Sequence, residues 1–225
     1  MAETTKIDLD LKVKRSVQVY DTSFLNGYDL WVHGFCNKYA WKCPTERLID
    51  QYRDLTSQNH LEVGVGTGFL LDKASLDPAE RRIGIMDFSR NCLDYSSRRL
   101  KRYDPELYHH DILKPFPENY TSRFDSIGIN YVLHCVPGEF SSKGKSFGNL
   151  KSLLSPGGVL FGSTLLGAGI KRTAIARALM WGYSKFDIFS NHADSEHALR
   201  RSLSQHFTDV RIETVGCCAL FEARR

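Results

Sequence analysis

The sequence predicts an α/β protein built on a doubly wound, mostly parallel sheet of seven strands. Three observations support this fold class. Short apolar runs alternate with helix-like segments, two last apolar runs close the chain as an antiparallel hairpin, and a glycine-rich turn at 61–69 (L-E-V-G-V-G-T-G-F) joins a strand to a helix. Ligands of such sheets bind beyond the carboxyl ends of the strands. The residues that follow each strand are therefore the first candidates for a site.

The elements are predicted in order from apolar runs and from helix start and stop signals. Pro44 suits a first helical turn, Ser89 is a reasonable N-cap, and the sequence S-P-G-G at 155–158 makes a sharp stop. The predicted helices cover 45–53, 70–74, 91–102 and 143–154. The predicted strands cover 60–65, 82–86, 107–111, 124–132, 159–165, 210–215 and 218–223.

Composition limits the class of protein. A chain of 225 residues with 42% hydrophobic and 25% charged residues suits one soluble globular enzyme domain. No apolar run approaches the ~18 residues of a membrane span, and the polar, mixed-charge N-terminus is unlike a signal peptide. We therefore expect a cytoplasmic protein with no membrane partner.

Charge and cysteine spacing argue against other partners. The net charge is +4, but the basic residues are scattered, so we expect no nucleic-acid partner. The six cysteines show no C-x-x-C spacing, so buried thiols are a better interpretation than a metal site or disulfides. The sequence leaves the oligomeric state open.

The glycine turn is the first candidate for ligand binding. Gly64, Gly66 and Gly68 have no Cβ, so a ligand can lie against bare backbone at the start of a helix. The spacing G-x-G-x-G differs from the dinucleotide fingerprint G-x-G-x-x-G, and no G-K-[ST] of a Walker loop follows. Taken alone, the turn could also be a tight strand-to-helix connection that binds nothing.

Five motifs in order extend the argument beyond the turn. The motifs are E-V-G-V-G-T-G, M-D-F-S, H-H-D-I, F-D-S-I-G-I-N-Y-V-L-H and L-L-S-P-G-G-V-L. Together they resemble the class I S-adenosylmethionine-dependent methyltransferases, over 44–165 in motif detail. The resemblance implies a Rossmann-like methyltransferase fold, S-adenosyl-L-methionine as cofactor and one domain over 1–225. Its parts are a helical N-terminal cap (1–43), a cofactor-binding core (44–165), substrate-side helices (166–205) and a closing hairpin (206–225).

The resemblance also implies roles for single residues. Glu62 orients the loop and the methionine ammonium, and Asp87, 23 positions after Gly64, meets the ribose diol. Phe88 lies against adenine and Asp111 accepts from its amino group. The two acids could instead cap helices, and Phe88 could belong to the core. The expected cofactor-binding residues are Tyr28, Glu62, Gly64, Val65, Gly66, Gly68, Asp87, Phe88, Ser89, Asp111, Ile112, Asn130 and Tyr131.

The acceptor is indicated less directly. The chain lacks the N/D-P-P-Y/F motif of nucleobase methyltransferases and looks most like small-molecule enzymes of secondary metabolism. That likeness favours a hydroxyl of a polyketide-type metabolite, including an enolic pyrone, as acceptor. Aromatic residues at helical spacing (Phe24, Tyr28, Trp31, Phe35 and Tyr39) form either ordinary core packing or an N-terminal lid. The expected substrate contacts are Trp31, Phe35, Trp181 and Tyr183.

A phenol with a pKa near ~10 needs a general base, whereas an acidic enol is already ionised. His134, just past the fourth strand, is the best candidate for such a base, although it could equally be a packed histidine. His109 and His110 are weaker candidates. Two rival classes stay open: a relative that binds S-adenosylmethionine without transferring its methyl group, and a nicotinamide-dependent oxidoreductase. The glycine spacing and Asp111 disfavour the oxidoreductase.

Overall fold

The structure is a computed structural model that describes residues 25, 27–79, 81–118 and 123–225. Seven strands form one sheet in the order β3-β2-β1-β4-β5-β7-β6. The first five strands are parallel, and β7 is antiparallel to both of its neighbours. The strands are β1 (Asn59–Val63), β2 (Arg82–Asp87), β3 (Glu106–His109), β4 (Phe124–Asn130), β5 (Leu154–Leu165), β6 (Asp209–Val215) and β7 (Cys218–Arg224). The predicted fold class is confirmed.

The helices flank this sheet. The N-terminal helix, Asp29–Trp41, has π-helical hydrogen bonding. It is followed by α1 (Thr45–Leu55), α2 (Phe69–Ala74), α3 (Arg90–Arg99), α4 (Phe140–Lys143), α5 (Lys145–Leu153), α6 (Ala174–Lys185) and α7 (Glu196–Ser204). A 3₁₀ turn, Lys101–Tyr103, extends α3. Within the described ranges, no helix has both the length and the apolarity needed to cross a bilayer.

Two apolar clusters hold the layers together, one on each face of the sheet. Leu48 and Tyr52 of α1 pack in the first cluster with Phe161 of β5. Phe147 of α5 and Leu199 of α7 pack in the second. Both faces of the central strands are thus covered, which is why β1 and β4 are buried along nearly their whole length.

Several element bounds differ from the predicted ones. The strand β4 ends at Asn130 because Tyr131 adopts a left-handed backbone with φ +58°. The strand β3 ends at His109, two residues before Asp111. Phe124 pairs with Leu154 and Ser126 with Val159, so residues 155–158 bulge out of β5 where a stop was predicted.

The N-terminal helix differs most from expectation. Its buried side chains are Cys36, Asn37, Ala40 and Trp41, whereas Trp31, Phe35 and Tyr39 are exposed. The wider turn of a π-helix keeps residues spaced by four in one line, and that line faces outward. Phe24, which the predicted aromatic stripe included, lies outside the described residues.

Candidate active site

The glycine turn follows β1. The strand order of the sheet reverses between β1 and β4, so the turn lies at this point of reversal. Gly64, Gly66 and Gly68 all have positive φ, of 65°, 52° and 73°. A Cβ on Gly64 would lie 2.2 Å from Cγ2 of Val132, whereas a Cβ on Gly66 would meet nothing closer than 4.0 Å. Gly64 is therefore required for packing between strand ends, and Gly66 leaves bare backbone beside open space.

Asp87 joins this turn to the end of β2. Its Oδ2 accepts from the Gly66 N–H at 3.2 Å, and its Oδ1 accepts from the Ser89 N–H at 2.8 Å. Burial raises the pKa of this carboxyl to about 6, against the opposing effect of these backbone donors. The carboxylate thus braces the turn and keeps acceptor capacity for a ligand.

One cavity runs along the carboxyl ends of β1, β2 and β4. It encloses about 1190 Å³, counting its open mouth. Every cofactor-binding residue expected from the sequence lines it, including the dispersed Tyr28, Asp111 and Tyr131. Lining residues that the sequence did not single out include His33, Thr67, Phe69, Cys92, Val132 and Cys135. The structure thus brings the whole predicted set together around one cavity.

One end of the cavity has groups suited to a flat heterocycle. Phe88 lies there with its ring parallel to that of His109, at 6.0 Å between centroids and an interplanar angle of 20°. Oδ1 of Asp111 accepts from the Leu113 N–H at 2.9 Å, and Asp111 lines the cavity. An aromatic face beside a carboxylate can stack on a base and accept from its amino group.

Glu62 is buried at the end of β1 and is held by side chains on both oxygens. The Tyr52 hydroxyl donates to Oε1 at 2.5 Å, and Nε2 of His60 lies 3.3 Å from Oε2. Nδ1 of His60 lies 2.8 Å from Oγ of Ser126 on the neighbouring strand. This network fixes the carboxylate directly beneath the glycine turn.

The N-terminal helix is anchored over the cavity through its first residue. Oδ1 of Asp29 accepts from the Thr67 hydroxyl at 2.6 Å, and Oδ2 pairs with the Arg99 guanidinium at 2.7 Å. Thr67 belongs to the glycine turn and Arg99 ends α3. The helix therefore responds to the position of two elements that line the site.

A second anchor lies nearer the end of the same helix. The Tyr131 hydroxyl donates to Oδ1 of the fully buried Asn37 at 2.8 Å, and Nδ2 of Asn37 donates to Oγ1 of Thr45 at 2.9 Å. The left-handed backbone at Tyr131 turns its ring toward the helix, and such strain is kept where surrounding contacts over-determine it.

His33 is a cavity residue that sequence reasoning missed. Its ring is parallel to Phe69 at 4.5 Å and to Tyr131 at 6.2 Å. Its Nδ1 is buried and has no hydrogen-bond partner within the described part of the chain. Burial lowers its pKa to about 4, although Asp29 opposes this shift. His33 is therefore neutral at pH 7 and offers an unused polar atom to a ligand.

Other expected residues lie elsewhere. His134 is buried behind the cavity wall, where Nδ1 accepts from the Leu165 N–H at 3.4 Å. Burial lowers its pKa to about 3. The four expected substrate contacts (Trp31, Phe35, Trp181 and Tyr183) do not line the cavity.

The residues present fit S-adenosylmethionine. Bare backbone at Gly66, the Asp87 carboxylate and the aromatic face of Phe88 provide for an amino-acid chain, a ribose diol and adenine. A family described as "Methyltransferase domain" matches residues 61–160. Because relatives more than 30% identical match it over nearly its full length, the chain belongs to the S-adenosylmethionine-dependent methyltransferases.

Individual relatives agree with this assignment. The chain is 36% identical to demethylluteothin O-methyltransferase of Streptomyces thioluteus, covering 99% of this chain and 96% of the relative. It is 31% identical to the physcion biosynthesis cluster O-methyltransferase of Aspergillus chevalieri, covering 94% and 96%. The N-methyltransferase NodS of Bradyrhizobium japonicum, solved with S-adenosylhomocysteine, shares the fold with a TM-score of 0.57 and 19% identity, over 80% of this chain and 85% of NodS.

Proposed function

We propose that this methyltransferase methylates an acidic hydroxyl, such as the enol of a hydroxypyrone, on a small and mainly hydrophobic polyketide-type metabolite. Relatives over nearly the full length are named as O-methyltransferases, one of demethylluteothin and one of a physcion biosynthesis cluster. The cavity that the acceptor would share with the cofactor is walled by aromatic and aliphatic side chains such as Phe69 and Val132. A hydrophobic acceptor with one ionised oxygen suits these walls.

The main support for this proposal is the pKa values of the cavity groups nearest the N-terminal helix. Burial raises the pKa of Tyr28 and of Tyr131 far above 10, so both hydroxyls stay protonated at neutral pH. Burial lowers the pKa of His33 to about 4, too low for an effective base toward a phenol. Of the histidines predicted as base candidates, His134 lies outside the cavity lining, whereas His110 lines it with Nε2 3.2 Å from the Lys114 carbonyl oxygen. These groups suit an acceptor that has already lost its proton.

The protein's contribution is then alignment and the exclusion of water. When bound, S-adenosylmethionine would supply a methyl group on a cationic sulfonium: an acceptor oxygen attacking the methyl carbon in line would form the O–C bond as the S–C bond breaks and S-adenosylhomocysteine leaves. Asp87 and the glycine turn hold the cofactor from one side, and the N-terminal helix, anchored by Asp29 and by Tyr131, closes the other. Fixing two reactants at near-attack distance supplies much of the rate acceleration of such a transfer.

A pH–rate profile tests the proposal. The protein is incubated with S-adenosylmethionine and either a hydrophobic 4-hydroxy-2-pyrone or a matched simple phenol, and S-adenosylhomocysteine is quantified between pH 5 and 9. We expect methylation of the pyrone, with a kcat/KM above pH 7 that is flat because the acceptor is ionised throughout. The phenol should react far more slowly.

Efficient methylation of the phenol with an inflection near pH 7 would contradict the proposal. If that inflection disappeared in His134→Ala, the base predicted from the sequence would be the correct assignment. Production of S-adenosylhomocysteine also separates transfer from a relative that only binds the cofactor.

A further inference from the structure

The side of the N-terminal helix that faces away from the cavity carries a row of aromatic rings in contact with one another. Trp31 and Phe35 lie 5.1 Å apart with an interplanar angle of 10°, and Phe35 and Tyr39 lie 5.3 Å apart. Phe35 is 39% exposed and Tyr39 is 45% exposed, so the row faces solvent. Contiguous exposed apolar side chains of this size mark interaction sites.

The helix α6 lies beside this row and is tied to it at two points. The Trp31 Nε1–H donates to the Tyr183 hydroxyl at 2.8 Å, and the Thr173 hydroxyl donates to the Ala40 carbonyl at 3.2 Å. One contact joins the start of the N-terminal helix to the end of α6, and the other joins the opposite ends. The two helices are therefore antiparallel neighbours.

Apolar residues of α6 continue the row onto the second helix. Ile175, Leu179 and Tyr183 follow one another at steps of four, and Phe186 comes three positions later, so all four lie along one stripe. Leu179 and Tyr183, in the middle of the stripe, are half-buried against the core, and its two ends are exposed. Phe186 is 72% exposed and Ile175 is 43% exposed. We call the combined surface the outer aromatic face, consisting of Trp31, Phe35, Tyr39, Ile175, Tyr183 and Phe186.

The same two segments carry many more basic than acidic residues. Residues 27–43 and 170–187 carry six basic and two acidic residues, an excess equal to the net charge of +4 of the whole chain. One of the acids, Asp29, is engaged by Thr67 and Arg99 on the cavity side. Nζ of Lys38 lies 5.2 Å from the centroid of the Tyr39 ring, which places a cation directly at the row.

We propose that the outer aromatic face binds the surface of an anionic lipid bilayer. Helices lying in a membrane interface combine exposed Trp, Phe and Leu with flanking Lys and Arg, and the two antiparallel helices present that combination here. The aromatic rings would enter the headgroup layer, and the basic residues would meet lipid phosphates. This revises the expectation of no membrane partner, which rested on the lack of a long apolar run.

The outer aromatic face and the cavity lie on opposite sides of the N-terminal helix, so membrane binding could help a hydrophobic acceptor to reach the site. The opposite side of the same helix contributes Tyr28 and His33 to the cavity. A hydrophobic acceptor dissolved in a bilayer would thus meet the enzyme on the helix that borders the site. This use of the binding rests on the proposed function, whereas the binding itself does not.

Vesicle co-sedimentation of the full chain tests the binding without any methyl transfer. We expect the protein to sediment with phosphatidylcholine vesicles that contain phosphatidylglycerol, and less with phosphatidylcholine alone. Phe35→Ser combined with Phe186→Ser should weaken the binding at least about tenfold, since two large apolar groups are removed from the contact. Leu107→Ser is the matched control, because Leu107 is 50% exposed on β3, outside the outer aromatic face.

A second pair of variants tests the charge. Lys38→Glu combined with Lys185→Glu should weaken binding to the anionic vesicles by about tenfold or more, and added salt should weaken the wild type. Lys101→Glu, an exposed lysine on the 3₁₀ turn, is the control. Unchanged thermal protection by S-adenosylhomocysteine would show that each variant keeps its fold and its cofactor site.

Three results would overturn the proposal. One is failure of the wild type to sediment with either kind of vesicle. The second is equal sedimentation of the wild type and both double variants. The third is self-association that the Phe35→Ser and Phe186→Ser changes abolish, because the face would then be the contact with a second copy. Loss of methyl transfer with intact vesicle binding would instead count against the proposed function alone.

Discussion

At the scale of single residues, Asp87 should make cofactor binding depend on pH. Its pKa is raised to about 6 by burial, so the free protein protonates it at mildly acidic pH. The protonated carboxyl accepts hydrogen bonds from a ribose diol poorly. We expect the affinity for S-adenosylhomocysteine to be full above pH 7 and to fall as pH drops below 6, by up to about tenfold for each unit.

Calorimetric titration between pH 5 and 8 measures this effect, with Asp87→Asn as the reference. The variant should bind about 10- to 100-fold more weakly at pH 7.5 and lose the pH dependence. The comparison is needed because the pKa of Asp194 is also raised to about 6. If the dependence persisted in Asp87→Asn, another group would be its source.

Some residues of the site could be predicted from the sequence and others could not. The positions of Asp87 and Gly66 in the cavity lining were predictable because each belongs to a short local motif that follows a strand. His33 and Asn37 were not, because their value depends on partners far along the chain. Asn37 meets Tyr131 across 94 positions, and nothing near Asn37 in the sequence announces that contact.

At the scale of elements, the glycine turn offers a matched pair of substitutions. Gly66 and Gly157 both have positive φ, 52° and 78°, and neither would bring a Cβ within ordinary contact of another group. Alanine at either position should cost about 1–2 kcal/mol of folding free energy because of the left-handed backbone. Only Gly66 lines the cavity, so only Gly66→Ala should also weaken cofactor binding.

Thermal unfolding with and without S-adenosylhomocysteine measures both effects. The ligand-induced rise in Tm should shrink in Gly66→Ala and be preserved in Gly157→Ala. Equal ligand protection in the two variants would mean that the cofactor does not approach the backbone at Gly66.

The elements themselves were predictable where periodicity was strong, and their ends were not. The apolar runs of β1 and β4 predicted buried parallel strands correctly. The end of β4 depends on the left-handed Tyr131, and a sequence rarely signals positive φ at a tyrosine. The predicted helix 143–154 corresponds to α5, which begins at Lys145 because Gly144 separates it from the short α4. Gly144 also lies against α7, where an added Cβ would come within 1.9 Å of Oγ of Ser202.

At the scale of the whole molecule, one buried ion pair connects distant segments. Nζ of Lys143 lies 2.6 Å from Oδ2 of Asp194, and both side chains are almost fully buried. Lys143 also donates to the Ser190 carbonyl at 3.0 Å. Lys143→Met should reduce the free energy of unfolding by about 3–5 kcal/mol, because it leaves the Asp194 carboxylate buried without its partner.

Chemical denaturation at pH 7.5 measures the loss, with Lys145→Met, an exposed lysine two positions along the chain, as the control. Adding Asp194→Leu to Lys143→Met should recover part of the stability, because the unpaired charge is then gone. A loss below ~1 kcal/mol in the single variant would mean that water reaches the site and that the pair contributes as little as a surface salt bridge.

The bulge of β5 is a position at which the fold can accept inserted residues. Residues 155–158 bulge out of the sheet at the amino end of β5, which is the end opposite the cavity. A Cβ on Gly157 would have no other atom within 4 Å. Additional residues at this position would lengthen a surface loop without displacing any catalytic strand end. An epitope or a whole domain could be inserted in this loop. The enzyme could then be immobilised through the insertion with its cavity still open to solvent.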